Sequence, residues 1–117
     1  MGKIVIILRK PPYGDINAAE AVRHALGAGS EDSSVSLVLV DGGVEIAREG
    51  HDEAGTGFTN LAETLKDCGE MGVGIFADEL SLIEHGLKKE ELVDGVQTAG
   101  EPEISGMISK ADTTMIF

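Results

Sequence analysis

Asp78 and Glu79 directly follow the apolar run Val73–Ala77, and His85 comes about two helical turns later. A carboxylate at the end of a strand with an imidazole in reach is the raw material of general acid–base catalysis. Asp78 would take the proton and His85 would assist, given surroundings that shift their pKa values. The plainer role for Asp78 is to cap the next helix by accepting its backbone N–H bonds. A second candidate is Arg9-Lys10-Pro11-Pro12-Tyr13-Gly14, which joins a strand to a helix N-terminus, where backbone N–H groups and the helix dipole favour an anion. The plainer alternative there is a proline-stiffened turn with a solvated basic pair. If a ligand does bind, Arg9, Tyr13, Gly14, Asp41, Gly42 and Glu79 join Asp78 in lining a pocket at the carboxyl ends of the strands.

Other reactive side chains carry less. Cys68 is the only cysteine, so the chain can form neither an internal disulfide nor a thiolate cage. It falls at a helix C-terminus, where the dipole opposes a thiolate and Asp67 and Glu70 add negative charge, so an inert packed thiol is expected. His24, His51 and His85 fall on different elements without the spacing of a zinc site, and no metal is expected. Gly72-Val73-Gly74 and Gly14 lack the glycine companions that cradle a pyrophosphate, so no nucleotide cofactor is expected either.

The elements that must position these residues show in the apolar pattern. Lys3–Leu8 is continuously apolar after its lysine and β-branched, as in a parallel strand buried on both faces. After Pro11-Pro12, Asp15 can cap a helix with Ile16, Ala19, Val22, Ala25 and Leu26 inward, ending at Gly27 and Gly29. A second strand over 35–40 closes on Asp41-Gly42-Gly43, with one or two helical turns over 44–48. Residues 49–57 carry three glycines and no periodicity, which predicts an exposed loop inside one domain.

Asn60 and Glu63 have capping-box spacing, and Phe58, Leu61, Ala62 and Leu65 form the stripe of a helix ending near Cys68-Gly69. A third strand over 73–77 leads into a short helix suggested by Leu80 and Ile83 and stopped by Gly86. Val96–Thr98 is a fourth strand. Pro102 suits the first turn of a last helix with Ile104, Met107 and Ile108 inward, and 113–117 is a terminal strand. Alternating strands and helices over 117 residues predict one α/β domain, 1–117, a three-layer α/β/α doubly wound fold with a mostly parallel five-stranded sheet.

Composition excludes several partners. With 21 acidic against 9 basic residues, the net charge of −12 repels phosphate backbones and anionic lipid. One Tyr, three Phe and no Trp offer little for base stacking, so no nucleic-acid partner is expected. No apolar run nears the roughly 18–20 residues of a membrane span, and the first strand is too short for a signal-peptide core. A cytoplasmic protein without a membrane partner is expected.

Three segments resemble one family. Gly72–Leu87 followed by Glu90-Glu91-Leu92-Val93-Asp94-Gly95-Val96 is similar to the DsrE/DsrF-like segment of strand, Cys, short helix, Arg-Gly-Leu and acidic-Leu-x-x-Gly-Val. The opening strand with Arg9–Gly14 and the run Leu39–Val44 with Ala47 resemble that family's opening and its Asp-Gly-Val element, so the likeness spans nearly the whole chain. It implies an intracellular sulfur-relay protein of the DsrE (flavodoxin-like) fold, a trimer or hexamer or an assembly with paralogous DsrE-like subunits. In the family's active members a cysteine after the third strand carries sulfur as a persulfide. Here that position is Asp78, whose oxygens cannot carry it, and His85 stands where Arg is common. Cys68 precedes the strand and so lies about 15 Å away, at its other end. The resemblance therefore implies a noncatalytic or divergent subunit; a small-ligand binding module is the alternative.

Overall fold

The computed structural model describes residues 2–9, 17–29, 34–48 and 61–117. Tyr13 and Gly14, the proline turn before them, the cap residues Asp15 and Asn60, and the 49–57 loop lie outside these residues. Five strands, β1 (Lys3–Leu8), β2 (Ser34–Leu39), β3 (Gly74–Asp78), β4 (Val96–Ala99) and β5 (Thr113–Ile116), form one parallel sheet in the order β4-β3-β2-β1-β5. The helices between them are α1 (Asn17–Gly29), α2 (Leu61–Glu70), α3 (Glu79–Glu84) and α4 (Glu101–Lys110), with tight helical turns at Asp41–Ala47 and Lys89–Glu91.

The steps from β1 through β4 all move toward one edge, whereas β4 to β5 crosses back over the sheet. Right-handed crossovers therefore put α1, α2 and α3 on one face and α4 on the other. Burial agrees. Ile6 and Leu8 of β1 pack with Val22, Ala25, Leu65, Cys68 and Leu82, whereas the alternate residues Val5 and Ile7 pack with Val38, Ala99 and Ile104. Among the described residues the first face carries the larger core, and the second rests on one helix.

Residue chemistry explains the joints. Gly43 lies so close to β1 that a side chain there would run into the Leu8 carbonyl, so only glycine lets the turn after β2 fold back onto the sheet. Asp41 takes the left-handed conformation at φ 48°, which aspartate tolerates better than most residues. Gly86, at φ 65°, follows α3 as expected of a helix stop.

The outcome differs from the sequence reading in a few places. The turn after β2 begins at Asp41 instead of Val44, and Asp78 is the last residue of β3 instead of the first beyond it. Ile108, read as inward, is exposed, and so are Leu80 and Ile83, the apolar residues that suggested the short helix. α3 has only six residues, and the side it buries is Ser81 and Leu82. Ile108 sits near the end of α4, one turn beyond the buried Ile104.

Candidate functional site

The carboxyl ends of β2 and β3 are tied by one buried hydroxyl. Ser81, 3% exposed, donates its Oγ–H to Asp78 Oδ2 at 2.6 Å and accepts the backbone N–H of Asp41 at 2.8 Å. The Ser81 backbone N–H also donates to Asp78 Oδ2, at 3.1 Å, so Asp78 is the helix cap its position suggested. Both bonds fall on one oxygen, Oδ2, and together they fix the position of the carboxylate. Backbone bonds extend the joint to β1: Val40 N–H donates to Leu8 O at 3.0 Å, and Gly43 N–H to Val40 O at 2.8 Å.

A second cluster stands at the far end of α3. His85 Nδ1 meets Glu45 Oε2 at 3.0 Å, while Arg48 donates from Nε to Glu45 Oε1 at 2.9 Å and from Nη2 to Oε2 at 3.2 Å. The Arg48 hydrogen bonds pull the Glu45 carboxyl below its ordinary value of 4.5, against an opposing push from burial and with further help from His85. An imidazole whose Nδ1 donates to a carboxylate keeps Nε2 as an acceptor, the arrangement by which carboxylates orient catalytic histidines.

Asp41, Gly42 and Asp78 are brought together at the strand ends. Glu79 begins α3, with Oε2 lying 3.6 Å from where a side chain on Gly100 would start. Arg9 ends the β1 pairing, its N–H bonded to Phe117 O at 3.0 Å. Asp78 and His85 each have a different partner, so they do not form the direct acid–base pair considered from sequence. The residues that sequence reasoning missed are Ser81, Glu45 and Arg48. The Glu45–Arg48 spacing was a visible signal for an ion pair on a helical turn. The contacts of Glu45 with His85 and of Asp41 with Ser81 span 40 positions each and need the topology.

Cys68 is fully buried, with its Sγ 3.8 Å from the Val22 carbonyl. Burial first, and the negative charge of Asp67 second, push its thiol up to about 11, so it stays protonated at neutral pH. No three His, Cys, Asp or Glu side chains among the described residues are placed to hold a metal ion. No helix among them is long and apolar enough to cross a membrane. An open groove of about 820 Å³, lined by Arg23, Leu26, Asp67, Glu70 and Met71, lies where α1 and α2 end, away from Asp78.

Comparison with known proteins gives these features a context. The model of the DsrE/DsrF-like family matches residues 2–117. The intracellular sulfur oxidation protein DsrF of Allochromatium vinosum is 34% identical over 93 residues, covering 79% of this chain and 68% of that one. An uncharacterized protein of Methanopyrus kandleri is 28% identical over 116 residues, covering 97% and 93%. The crystal structure of the ychN protein from E. coli superposes with a TM-score of 0.89 at 21% identity over the full length of both chains, a likeness of fold.

Proposed function

This chain belongs to the DsrE/DsrF-like family, and on that premise we propose that it is an intracellular, oligomeric and noncatalytic subunit of a sulfur-relay system. One observation carries the reading. The end of β3, where the resemblance puts the sulfur-carrying cysteine, holds a carboxylate fixed by Ser81. Persulfide transfer needs a nucleophilic, polarisable sulfur, and a carboxylate oxygen is neither. Cys68 does not substitute, because it is buried and its thiol is held protonated. The role left to the chain is structural: a homo-oligomer, trimer or hexamer, or a partner of paralogous subunits that do carry the cysteine.

Incubation with a cysteine desulfurase and cysteine, followed by intact-mass measurement, is expected to leave the protein's mass unchanged. A gain of one sulfur atom on Cys68 overturns the noncatalytic assignment. Native mass spectrometry of protein from its own host is expected to show the chain alone or mixed with cysteine-bearing paralogues, always as an oligomer.

A further inference from the structure

α1 and α2 each return from the carboxyl end of one strand to the amino end of the next, so they run parallel and end together at the amino edge of the sheet, opposite Asp78. The negative ends of two helix dipoles therefore meet there, and neither helix has a basic residue in its last turn to offset them. The last turn of α2 carries Asp67 and Glu70 instead, the reverse of the stabilising arrangement. Both acids are exposed and line the groove between the helices. Neither carboxylate has an ion pair or side-chain hydrogen bond among the described residues. Arg23, the cation in the lining, is tied to Glu20 at 2.8 Å. Lys66 stands one turn before Glu70 on α2 but makes no ion pair with it and does not line the groove. The rest of the lining is apolar. It consists of Leu26, packed against the core, Met71, 44% exposed, and Gly27, where nothing lies within 4 Å of the place a side chain would start. The groove's volume of about 820 Å³ matches a pocket for a drug-sized body, so a few side chains of a partner fit in it.

We propose that the groove between α1 and α2 docks a basic amphipathic segment of a partner protein, in which Lys or Arg stands beside large apolar side chains. The cation meets Asp67, Glu70 and the two helix ends, and the apolar side chains cover Leu26 and Met71. Charge complementarity decides the occupant. A second copy of this chain brings its own net charge of −12 and is repelled. An acidic segment faces two unpaired carboxylates, and a purely apolar one strips them of water with nothing in return. The groove lies away from the Asp78 position, so a partner held there leaves the strand ends uncovered. The inference is independent of the sulfur-relay reading, and either stands if the other fails.

The test measures binding of a short end-blocked peptide of leucine and lysine at helical spacing, by fluorescence anisotropy. Asp67→Lys with Glu70→Lys reverses the groove's charge, and Met71→Ser removes exposed apolar surface from it. Glu84→Lys with Glu90→Lys makes the same change in net charge elsewhere and is the control. All five side chains are exposed, so folding is preserved, which circular dichroism checks. The wild type and the control pair are expected to bind the peptide alike, and the groove pair roughly tenfold more weakly or worse, since two attractions become repulsions. Met71→Ser is expected to weaken binding by a smaller factor, as is replacing the peptide's leucines by serine. Equal weakening by the groove and control pairs, or a serine–lysine peptide that binds as well as the leucine–lysine one, would assign the binding to net charge alone and overturn the proposal. So would a wild type that does not bind, or a glutamate–leucine peptide that binds as tightly. An oligomer that dissociates in the groove pair and not in the control would make the groove a contact between copies, and overturns it as well.

Discussion

Asp78 does two jobs with one oxygen, capping α3 and binding the Ser81 hydroxyl. Asp78→Ala removes both bonds and leaves buried Ser81 with a donor unmet, which should cost about 1–2 kcal/mol. Asp78→Asn keeps an acceptor in the same place and should lose less; urea midpoints of the two variants measure the difference. Glu45 makes a different prediction. Its folded pKa lies below 4.5, so the unfolded chain takes up its proton first as the pH falls. The stabilisation is therefore complete above about 4.5 and fades as the pH drops through the lower folded value. Glu45→Gln should cost roughly 1–2 kcal/mol at neutral pH, and the gap from wild type should close in acid. A gap that stays constant down to the acid limit would mean the carboxylate is not held by Arg48 and His85.

Elements were legible from sequence where their signal was local. β1 was read residue for residue, because a strand buried on both faces leaves a continuous apolar run. The Asp78 cap was legible too, since capping needs only the next turn. α3 was not, because six residues are too few for a periodic stripe to say which side meets the core; Leu80 and Ile83 obey the pattern yet face out. The Glu45–His85 contact was beyond reach for another reason, as its partners meet only when the turn after β2 and the end of α3 are brought side by side. That turn is held in place by the absence of a side chain. Gly43→Ala would drive a methyl group into the Leu8 carbonyl, and a loss of about 3 kcal/mol is expected. Gly106→Ala in α4, where an added methyl meets nothing within 4 Å, should instead stabilise by about 0.5–1 kcal/mol. Chemical denaturation of the two variants compares a glycine required by contact with one that only loosens a helix.

On the scale of the whole molecule, the core is lopsided: among the described residues α1, α2 and α3 pack over one face of the sheet, and α4 alone covers the other. Cys68 sits in the larger cluster with Leu65, Val22 and Ile75, at 0% exposure. A thiol reagent reaches it only when that cluster opens, and opening it separates α2 from α1 and from β3, which amounts to losing the fold. Labelling of Cys68 by an aromatic disulfide reagent should therefore be slow in native buffer, after allowance for its raised pKa, and should accelerate with urea at the slope of global unfolding. The less covered face should give way first: amide exchange is expected to be faster in α4 and β5 than in β1 and β2. Rapid labelling without denaturant would show that α2 detaches locally, and Cys68 would then become available to sulfur donors after all.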